Sequence, residues 1–428
     1  MKRNPNLRLE KRMTLQPQPI KTVVAAVAGI ALLCSLGTAD LAHGEQAPGG
    51  LPSKHGPASP YACATPGFAQ ATHYDAVEGA YSVAVGDLNR DNRLDLVVGT
   101  GTGTAVKWLA GDGTGGFGSA TDIVLGDSPW QVVLADFNKD AILDVASAVT
   151  VNGDEKNLAV ALGDGMGGFG LPIYTPVGEN AISLAVADFN KDTNPDVVVD
   201  EFLGVNVLLG NGNGTFGGPV FYGGAHPYFV TTGDVNNDGN TDVVAANGDG
   251  DDVSVLLGNG DGTLNEGTIF EAGENPLHVA VGDLNGDGNA DLVAPNSGSS
   301  NVSVFLGDGE GNFSAATDYA TGSEADEGPR AAVIADFNSD AKPDIAIANT
   351  ETNTVAVLLG DGAGGFSDPT KFAVGEGPRW LVAGDFNRNG SLDIATANRT
   401  SGSVSVLLNT CPAPNPPPCN IQFSDVPP

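Results

Sequence analysis

Short apolar segments alternate with polar, turn-rich segments along most of the chain. Beyond about residue 40, runs such as "SVAVG", "LVVGT" and "VSVLLG" are rich in β-branched residues and are separated by clusters of Asp, Asn and Gly. Short apolar runs bounded by turn residues are typical of β-strands, and the sequence lacks long apolar segments of helical period in this region. The pattern therefore predicts an all-β chain.

The segments recur in a fixed order. Each repeat has an apolar run, a nine-residue acidic motif, two further runs, a Gly-rich turn such as "GDGTGGF" and a fourth run, and the motif appears seven times at intervals of 46 to 53 residues. One four-stranded sheet cannot bury both of its faces, whereas seven sheets packed radially around a channel can. We therefore predict a seven-bladed β-propeller of four-stranded antiparallel blades over residues 67–411.

The two ends of the repeat region complement each other. Residues 67–77, "GFAQATHYDAV", match the fourth-strand segments but precede the first complete repeat, whereas the last repeat stops after its third strand. We expect the N-terminal strand to complete the last blade and close the ring. Cys63 and Cys411 fall at nearly the same place in the repeat, which favours a Cys63–Cys411 disulfide at the closure. Pairing of Cys419 with either cysteine is the alternative.

The motif D-x-N-x-D-x-x-x-D offers oxygen atoms at positions 1, 3, 5 and 9 and a main-chain carbonyl at position 7. Ca²⁺ prefers six to eight oxygen ligands. Asx turns alone could explain one such loop, but seven copies in register favour a metal, and the absence of His and Cys from the loops disfavours zinc. We predict up to seven structural Ca²⁺ ions, held by Asp87, Asn89, Asp91, Arg93, Asp95, Asp136, Asn138, Asp140, Ile142, Asp144, Asp188, Asn190, Asp192, Asn194, Asp196, Asp234, Asn236, Asp238, Asn240, Asp242, Asp283, Asn285, Asp287, Asn289, Asp291, Asp336, Asn338, Asp340, Lys342, Asp344, Asp385, Asn387, Asn389, Ser391 and Asp393.

The seven motifs differ at position 6. Gly occupies it at Gly239, Gly288 and Gly390, and other residues occupy it elsewhere. If this position requires a positive φ, a residue with a side chain costs roughly 1 kcal/mol there. Asn389 also replaces the usual Asp at position 5 of the last motif. We expect the fourth and fifth loops to bind Ca²⁺ most tightly.

Charge and termini indicate where the protein acts. The chain has 52 acidic and 19 basic residues and a formal net charge of -33, which repels nucleic acids and anionic membranes. Basic residues followed by the apolar run 23–36 and small residues predict a signal peptide over residues 1–44. A retained membrane anchor is the alternative, but the run is shorter than the roughly 20 residues of a span. We expect a secreted or cell-surface monomer, a linker at 45–66, and no membrane insertion after signal removal.

The motifs and their spacing resemble the FG-GAP/VCBS repeat family, which includes the integrin alpha-chain propeller and many secreted bacterial proteins. This resemblance implies that the acidic loops lie on one face, that ligands meet the opposite face, and that the function is binding or adhesion. Residues 412–428 begin as a Pro-rich linker, and their end, "IQFSDVPP", looks like the opening of a surface-layer homology domain. Either the sequence is truncated there or the likeness is accidental.

Aromatic and basic residues follow the predicted turn into each first strand. They could line a ligand face around the channel mouth, although packing between blades is an alternative. The candidates are Tyr81, Trp130, Tyr228, Phe229, His278, Arg330, Arg379 and Trp380.

No His spacing or phosphate-binding loop indicates catalysis. We predict an adhesion or ligand-binding module whose partner is an extracellular protein or glycan. The alternatives are a carbohydrate-binding lectin and an extracellular polysaccharide lyase or hydrolase.

Overall fold

The computed structural model describes residues 63–411, apart from 77–78, 152–154, 179–180, 225 and 324–326. The predicted signal peptide, nearly all of the 45–66 linker and residues 412–428 lie outside the described residues. Within the described part, 28 strands form seven four-stranded antiparallel sheets, and one short 3-10 helix, Gly248–Gly250, follows a strand of the fourth sheet. No helix in this part is long and apolar enough to cross a membrane.

The first six sheets each use four consecutive strands. In chain order, these are β2 (Ser82–Gly86), β3 (Asp95–Gly99), β4 (Ala105–Leu109) and β5 (Thr121–Val124); β6 (Val132–Ala135), β7 (Asp144–Val151), β8 (Glu155–Ala161) and β9 (Ile173–Gly178); β10 (Leu184–Ala187), β11 (Asp196–Glu201), β12 (Gly204–Leu208) and β13 (Val220–Gly223); β14 (Phe229–Gly233), β15 (Asp242–Asn247), β16 (Asp252–Leu256) and β17 (Thr268–Glu271); β18 (Ala280–Gly282), β19 (Asp291–Asn296), β20 (Asn301–Phe305) and β21 (Thr317–Ala320); and β22 (Pro329–Ala335), β23 (Asp344–Asn349), β24 (Thr354–Leu358) and β25 (Thr370–Ala373).

The seventh sheet joins the two ends of the described chain. It contains β26 (Pro378–Gly384), β27 (Asp393–Asn398), β28 (Ser403–Leu407) and the N-terminal β1 (Thr72–Asp75), which pairs antiparallel with β28. The first strands contact one another in the order β2, β6, β10, β14, β18, β22 and β26, and β26 also contacts β2. The predicted seven-bladed propeller is therefore confirmed.

A disulfide and an aromatic side chain fix this junction. Cys63 is bonded to Cys411, with a Cα–Cα distance of 5.9 Å, so the pairing favoured from the sequence is the one observed. Phe68 forms an isolated bridge with Asn409, in the place where Phe117 pairs with Gly111 in the first sheet. The Phe68 ring also packs edge-on against Phe337 of the sixth sheet, at 6.0 Å between centroids.

The core lies between neighbouring sheets. The second strand of the fourth sheet, β15, is buried along its whole length, and β12 of the third sheet is buried likewise. Because successive side chains point to opposite faces, each of these strands packs against a sheet on either side. Outer strands such as β17 are largely exposed. The apolar runs of the sequence are thus the inner strands of the blades.

The connections separate into two faces. In a four-stranded antiparallel sheet, the first and third connections lie at one end, and the second connection lies at the other with the link to the next sheet. We call the first end the loop face; it carries the seven acidic loops and the Gly-rich turns. The other end, which carries connections such as 248–251 and 273–278, is called the opposite face.

Candidate functional site

The seven acidic loops join the first and second strands on the loop face. We number them loop 1 (87–95), loop 2 (136–144), loop 3 (188–196), loop 4 (234–242), loop 5 (283–291), loop 6 (336–344) and loop 7 (385–393). In each loop the Asp at position 9 is the first residue of the second strand. Positions 1 to 8 therefore make a tight turn whose exit is fixed by the sheet.

Loop 4 shows how the first three oxygen-bearing side chains converge. The N–H of Asp238 lies 3.2 Å from Asp234 Oδ1 and 3.1 Å from Asn236 Oδ1, so it donates to both oxygens. Asp238 Oδ1 accepts from the N–H of Asn240 at 2.7 Å. The side chains at positions 1, 3 and 5 of this loop therefore all accept hydrogen bonds from the backbone of the same turn.

The carboxylate at position 9 has a different set of partners. Asp242 Oδ2 accepts from the N–H of Val235 at 2.9 Å, and its Oδ1 accepts from the N–H of Gly258, in the Gly-rich turn, at 2.7 Å. The same two kinds of bond occur in all seven loops, on Asp95, Asp144, Asp196, Asp242, Asp291, Asp344 and Asp393. This carboxylate ties the acidic loop to the next turn, a role that the sequence analysis missed.

Burial sets the titration of these carboxyls. It raises the pKa of Asp242 to about 6 and that of Asp344 to about 7, because desolvation disfavours the charged form and the position 1 and 5 carboxylates repel it. The two backbone hydrogen bonds oppose this rise. The spacing between the position 9 Asp and the residue that donates to it is 16 in five loops, 19 in loop 2 and 14 in loop 3, and this recurrence is the sequence signal that could have revealed the link.

All seven loops share the same two left-handed backbone positions. The φ angle is positive at position 6 in all seven, from 60° to 89°, so the condition on which the predicted ranking of the loops rests is met. Position 4 also has a positive φ in every loop, from 58° to 75°. This was not predictable from the residue types, since Arg90, Lys139, Lys191 and Arg388 occupy position 4 and long basic side chains are not typical of the left-handed region.

Side chains at position 4 connect neighbouring loops. Each of the four that form a hydrogen bond reaches position 6 or 7 of the next loop around the ring. The bonds are Arg90 Nη2 to the carbonyl of Ala141 (3.0 Å), Lys139 Nζ to Thr193 Oγ1 (2.7 Å), Asn237 Nδ2 to Asn289 Oδ1 (2.9 Å), and Arg388 Nη2 to the carbonyl of Asn92. These bonds link loop 7 to loop 1, loop 1 to loop 2, loop 2 to loop 3, and loop 4 to loop 5.

The donor set of each loop suits a hard cation. Positions 1, 3 and 5 supply two carboxylates and one amide oxygen in six of the seven loops, and position 7 adds a carbonyl. In the described part of the chain, no group of three or more His, Cys, Asp or Glu side chains is placed to hold a metal. The third side-chain oxygen comes from Asn, and the position 9 carboxylate faces two backbone amides, so each loop resembles an oxygen cage of modest charge.

On the opposite face, two of the predicted ligand-face residues form an aromatic pair beneath an arginine. Tyr81 and Trp130 pack edge to face, with centroids 4.8 Å apart. The guanidinium carbon of Arg379 lies 5.4 Å from the Tyr81 ring centroid, in a cation–π contact. All three side chains are half-buried, and Arg330 lies near enough to Arg379 to repel it.

Three other ligand-face residues meet inside the ring. Phe229 stacks on His278 at 4.1 Å between centroids, and the Trp380 ring packs edge-on against both, at 5.3 and 5.2 Å. Phe229 and His278 are buried, with exposed fractions of 1 and 7%. Because Trp380 belongs to the seventh sheet and its partners to the fourth and fifth, this contact crosses the channel. Tyr228 lies apart from the cluster and is exposed.

A cavity of about 530 Å³ opens on the opposite face where the sixth, seventh and first sheets meet. We call it the arginine pocket; its lining includes Arg379, Arg399, Glu351, Glu376, Asn353 and Thr102. Only Arg379 of these was predicted from the sequence. The others lie in connections separated by up to about 300 residues along the chain, so no local pattern brings them together.

The fold and the repeated loops define a class of protein, the seven-bladed β-propeller with an acidic loop in every blade. A model of the FG-GAP-like repeat matches residues 87–147, 234–294, 292–347 and 336–396, which together make up just over half of the chain. The chain belongs to the FG-GAP-like repeat family. No curated protein matches its sequence.

Several solved structures share the architecture. BBS1N in complex with ARL6DN is similar with a TM-score of 0.55 and 14% identity, over 79% of this chain and 98% of that one. Virginiamycin B lyase from Staphylococcus aureus gives 0.52 and 12%, over 79 and 98%. At such identities these two similarities show the fold alone. An Agrocybe aegerita lectin that recognises terminal N-acetylglucosamine gives 0.49 and 18%, over 76% of this chain and 87% of that one.

Proposed function

We propose that this protein is a secreted or cell-surface propeller that binds calcium in its acidic loops and acts as a non-catalytic adhesion or ligand-binding module. The observation that carries the proposal is that one face is the same in every blade whereas the other face varies. The loop face repeats one oxygen-lined turn seven times, whereas the opposite face carries aromatic side chains and a pocket that differ from blade to blade. Repetition suits a structural role, and variation suits recognition.

Calcium would act on the stability of the ring. Each loop gathers carboxylates that repel one another, and a bound divalent cation removes that repulsion. At ion concentrations tenfold above Kd, each site would stabilise the folded state by ~1.4 kcal/mol, so seven independent sites would contribute on the order of 10 kcal/mol. The position 4 links would couple the ordering of loops 7, 1, 2 and 3, and that of loops 4 and 5.

The loops should differ in affinity. Loops 4 and 5 have Gly at position 6 and contain no Lys or Arg, whereas loops 1, 2, 3, 6 and 7 each contain at least one basic residue. A basic side chain beside the ion lowers its affinity, and a non-Gly residue at positive φ costs roughly 1 kcal/mol. Both effects support the expectation that loops 4 and 5 bind most tightly.

Two of the three described histidines support a non-catalytic role. His73 Nδ1 lies 2.9 Å from Ser405 Oγ, but this hydroxyl is fully buried and also accepts from Asn398 Nδ2 and from the N–H of Gly375. His278 is buried in the aromatic cluster, where desolvation lowers its pKa to about 3. Neither imidazole is placed to activate a nucleophile for an approaching substrate.

Thermal unfolding with calcium and with a chelator tests the structural part of the proposal. We expect a clear fall in Tm on chelation and recovery on adding calcium but not magnesium. Asp234→Asn in loop 4 should remove more of the calcium effect than Asp385→Asn in loop 7, because loop 7 already lacks the position 5 carboxylate. A Tm that chelation leaves unchanged would refute the calcium role. A screen of extracellular proteins and glycans, with and without calcium, tests the binding role.

A further inference from the structure

The arginine pocket concentrates positive charge in a very acidic protein. Residues 63–411 contain six arginines, and three of them, Arg330, Arg379 and Arg399, lie at or beside this pocket. The other three, Arg90, Arg93 and Arg388, are in the acidic loops of the other face. None of the three pocket arginines forms an ion pair with any residue that the structure describes.

The guanidinium groups at the pocket repel one another, and Glu351 offsets part of the charge of Arg330 without forming an ion pair. Burial, together with repulsion from Arg330 and Arg399, lowers the pKa of Arg379 to about 10. Burial also lowers the pKa of Arg330. The guanidinium carbon of Arg379 lies 5.4 Å from the Tyr81 ring centroid, and a planar guanidinium can donate two parallel hydrogen bonds to one carboxylate. An anion placed in the pocket would stabilise the charged guanidinium groups and so offset both their mutual repulsion and the cost of burying their charge.

Hydrogen bonds hold the pocket walls in place before any ligand arrives. Asn353 Oδ1 accepts from the N–H of Gly377 at 2.7 Å, and the N–H of Arg399 donates to the carbonyl of Gly377 at 2.9 Å. Thr350 Oγ1 donates to the carbonyl of Pro378 at 2.6 Å. Connections from the sixth and seventh sheets are thus joined, so that a ligand does not have to order them.

The other lining groups select the kind of anion. Glu351 and Glu376 repel phosphates, acidic peptides and other ligands of high negative charge, but they accept hydrogen bonds from hydroxyl groups. Thr and Asn side chains add further acceptors and donors. The net charge of -33 likewise disfavours long polyanions. A single carboxylate attached to a ring of hydroxyl groups satisfies all of these groups at once, and a pocket of this volume is of the size that holds small ligands.

We propose that the arginine pocket binds the uronate residue of an acidic sugar, with its carboxylate on Arg379 and Arg399 and its hydroxyl groups on Glu351, Glu376 and Asn353. This inference rests on the proposed ligand-binding function and adds a ligand class and a site to it. It does not depend on calcium occupancy of the loops.

The test uses ligands that differ only at the carboxylate. Methyl glucuronide and methyl galacturonide are compared with methyl glucoside and methyl galactoside by titration calorimetry or ligand-observed NMR, at low salt and in the presence of calcium. We expect at least one uronate to bind about tenfold more tightly than its neutral partner, since a charge-assisted hydrogen bond contributes roughly that factor. Its binding should weaken as salt is added.

Variants locate the site. Arg399→Gln should weaken uronate binding by about tenfold or more, and the fold should survive because this side chain is exposed. Arg379→Lys keeps the charge but loses the planar fork, so it should also weaken binding. Lys107→Gln removes the same charge from β4, outside the pocket and the loops, and should leave binding unchanged.

Other results would overturn the inference. These are equal binding of uronates and neutral sugars, no uronate binding by the wild-type protein, full affinity in Arg399→Gln, and tighter binding of galactose 6-sulfate or of a Glu-containing peptide. If the extracellular screen finds a ligand but neither uronate binds, the inference fails while the proposed binding function stands. If uronates bind but chelation leaves Tm unchanged, the inference stands and the calcium role fails.

Discussion

Replacing Trp380 with Ala tests whether the channel of the propeller is closed by side chains. Trp380 is half-buried and packs against the core clusters on both sides of the ring, including Phe229 and His278. Removal of a core Trp costs about 3–5 kcal/mol. We take the lower end, about 3 kcal/mol, because part of the ring remains in contact with water. Two edge-to-face pairs account for about 0.5–1.5 kcal/mol each.

The measurement is urea unfolding followed by far-ultraviolet circular dichroism, which does not depend on the deleted indole. Trp130→Ala is the matched control, since Trp130 is also half-buried but contacts the single aromatic ring of Tyr81. We expect the midpoint to fall by more in Trp380→Ala than in Trp130→Ala. The wild-type protein and both variants are measured in the same calcium buffer.

A double-mutant cycle then isolates the contact across the channel. Trp380→Ala and His278→Ala should be non-additive by about 0.5–1.5 kcal/mol, because each removes the partner of the other. Additivity within ~0.3 kcal/mol would mean that the two rings do not touch in solution. In that case Trp380 does not close the channel, and the aromatic cluster of Phe229, His278 and Trp380 does not form in solution.

Three further predictions concern single sites. His278→Phe should flatten the dependence of the unfolding free energy on pH between about pH 6.5 and 3. In the folded wild-type protein the imidazole stays neutral, with a pKa of about 3, whereas in the unfolded chain it binds a proton. The unfolded wild-type chain therefore gains up to ~1.4 kcal/mol of stability for each pH unit below about 6.5, and the Phe variant does not. Asp200→Asn should raise Tm near pH 8. Burial raises the pKa of Asp200 to about 8, so the stability of the wild-type protein falls as the pH rises from about 4 to 8. The Asn oxygen can still accept from the N–H groups of Ile182 and Ser183. Ala141→Gly should raise the unfolding free energy by roughly 1 kcal/mol in chelator, since φ at this residue is 65° and Gly adopts a positive φ without strain. It should also tighten calcium binding by loop 2. An unchanged Tm in chelator would mean that Ala141 is not strained.

The repeat made most of the architecture predictable. A fixed order of apolar runs and turns, present seven times, defines the strands of each blade, and the unmatched fourth strand at residues 67–77 indicates how the last sheet is completed. Alignment of Cys63 and Cys411 on the repeat likewise predicted their pairing. These features depend on local pattern and on the period, both of which the sequence contains.

The features that were not predicted depend on the radius and order of the closed ring. The contact of Trp380 with His278 joins the seventh and fifth sheets, and nothing near either residue indicates that they are within reach. Arg399 and Glu351 approach each other because the sixth and seventh sheets are neighbours. The hydrogen bonds of Asp242 to two backbone amides were not predicted either, and its role as a cation ligand stays a prediction.

The disulfide at the junction has a mechanical consequence. Cys63 and Cys411 are separated by 348 residues in sequence but by 5.9 Å between Cα atoms. Tension applied through the chain on either side of this pair would pass straight through the sulfur atoms, so the seven sheets would carry almost none of the load. Under reducing conditions the same pull would instead peel β1 from β28, one hydrogen bond at a time, and the propeller would open from its seventh blade.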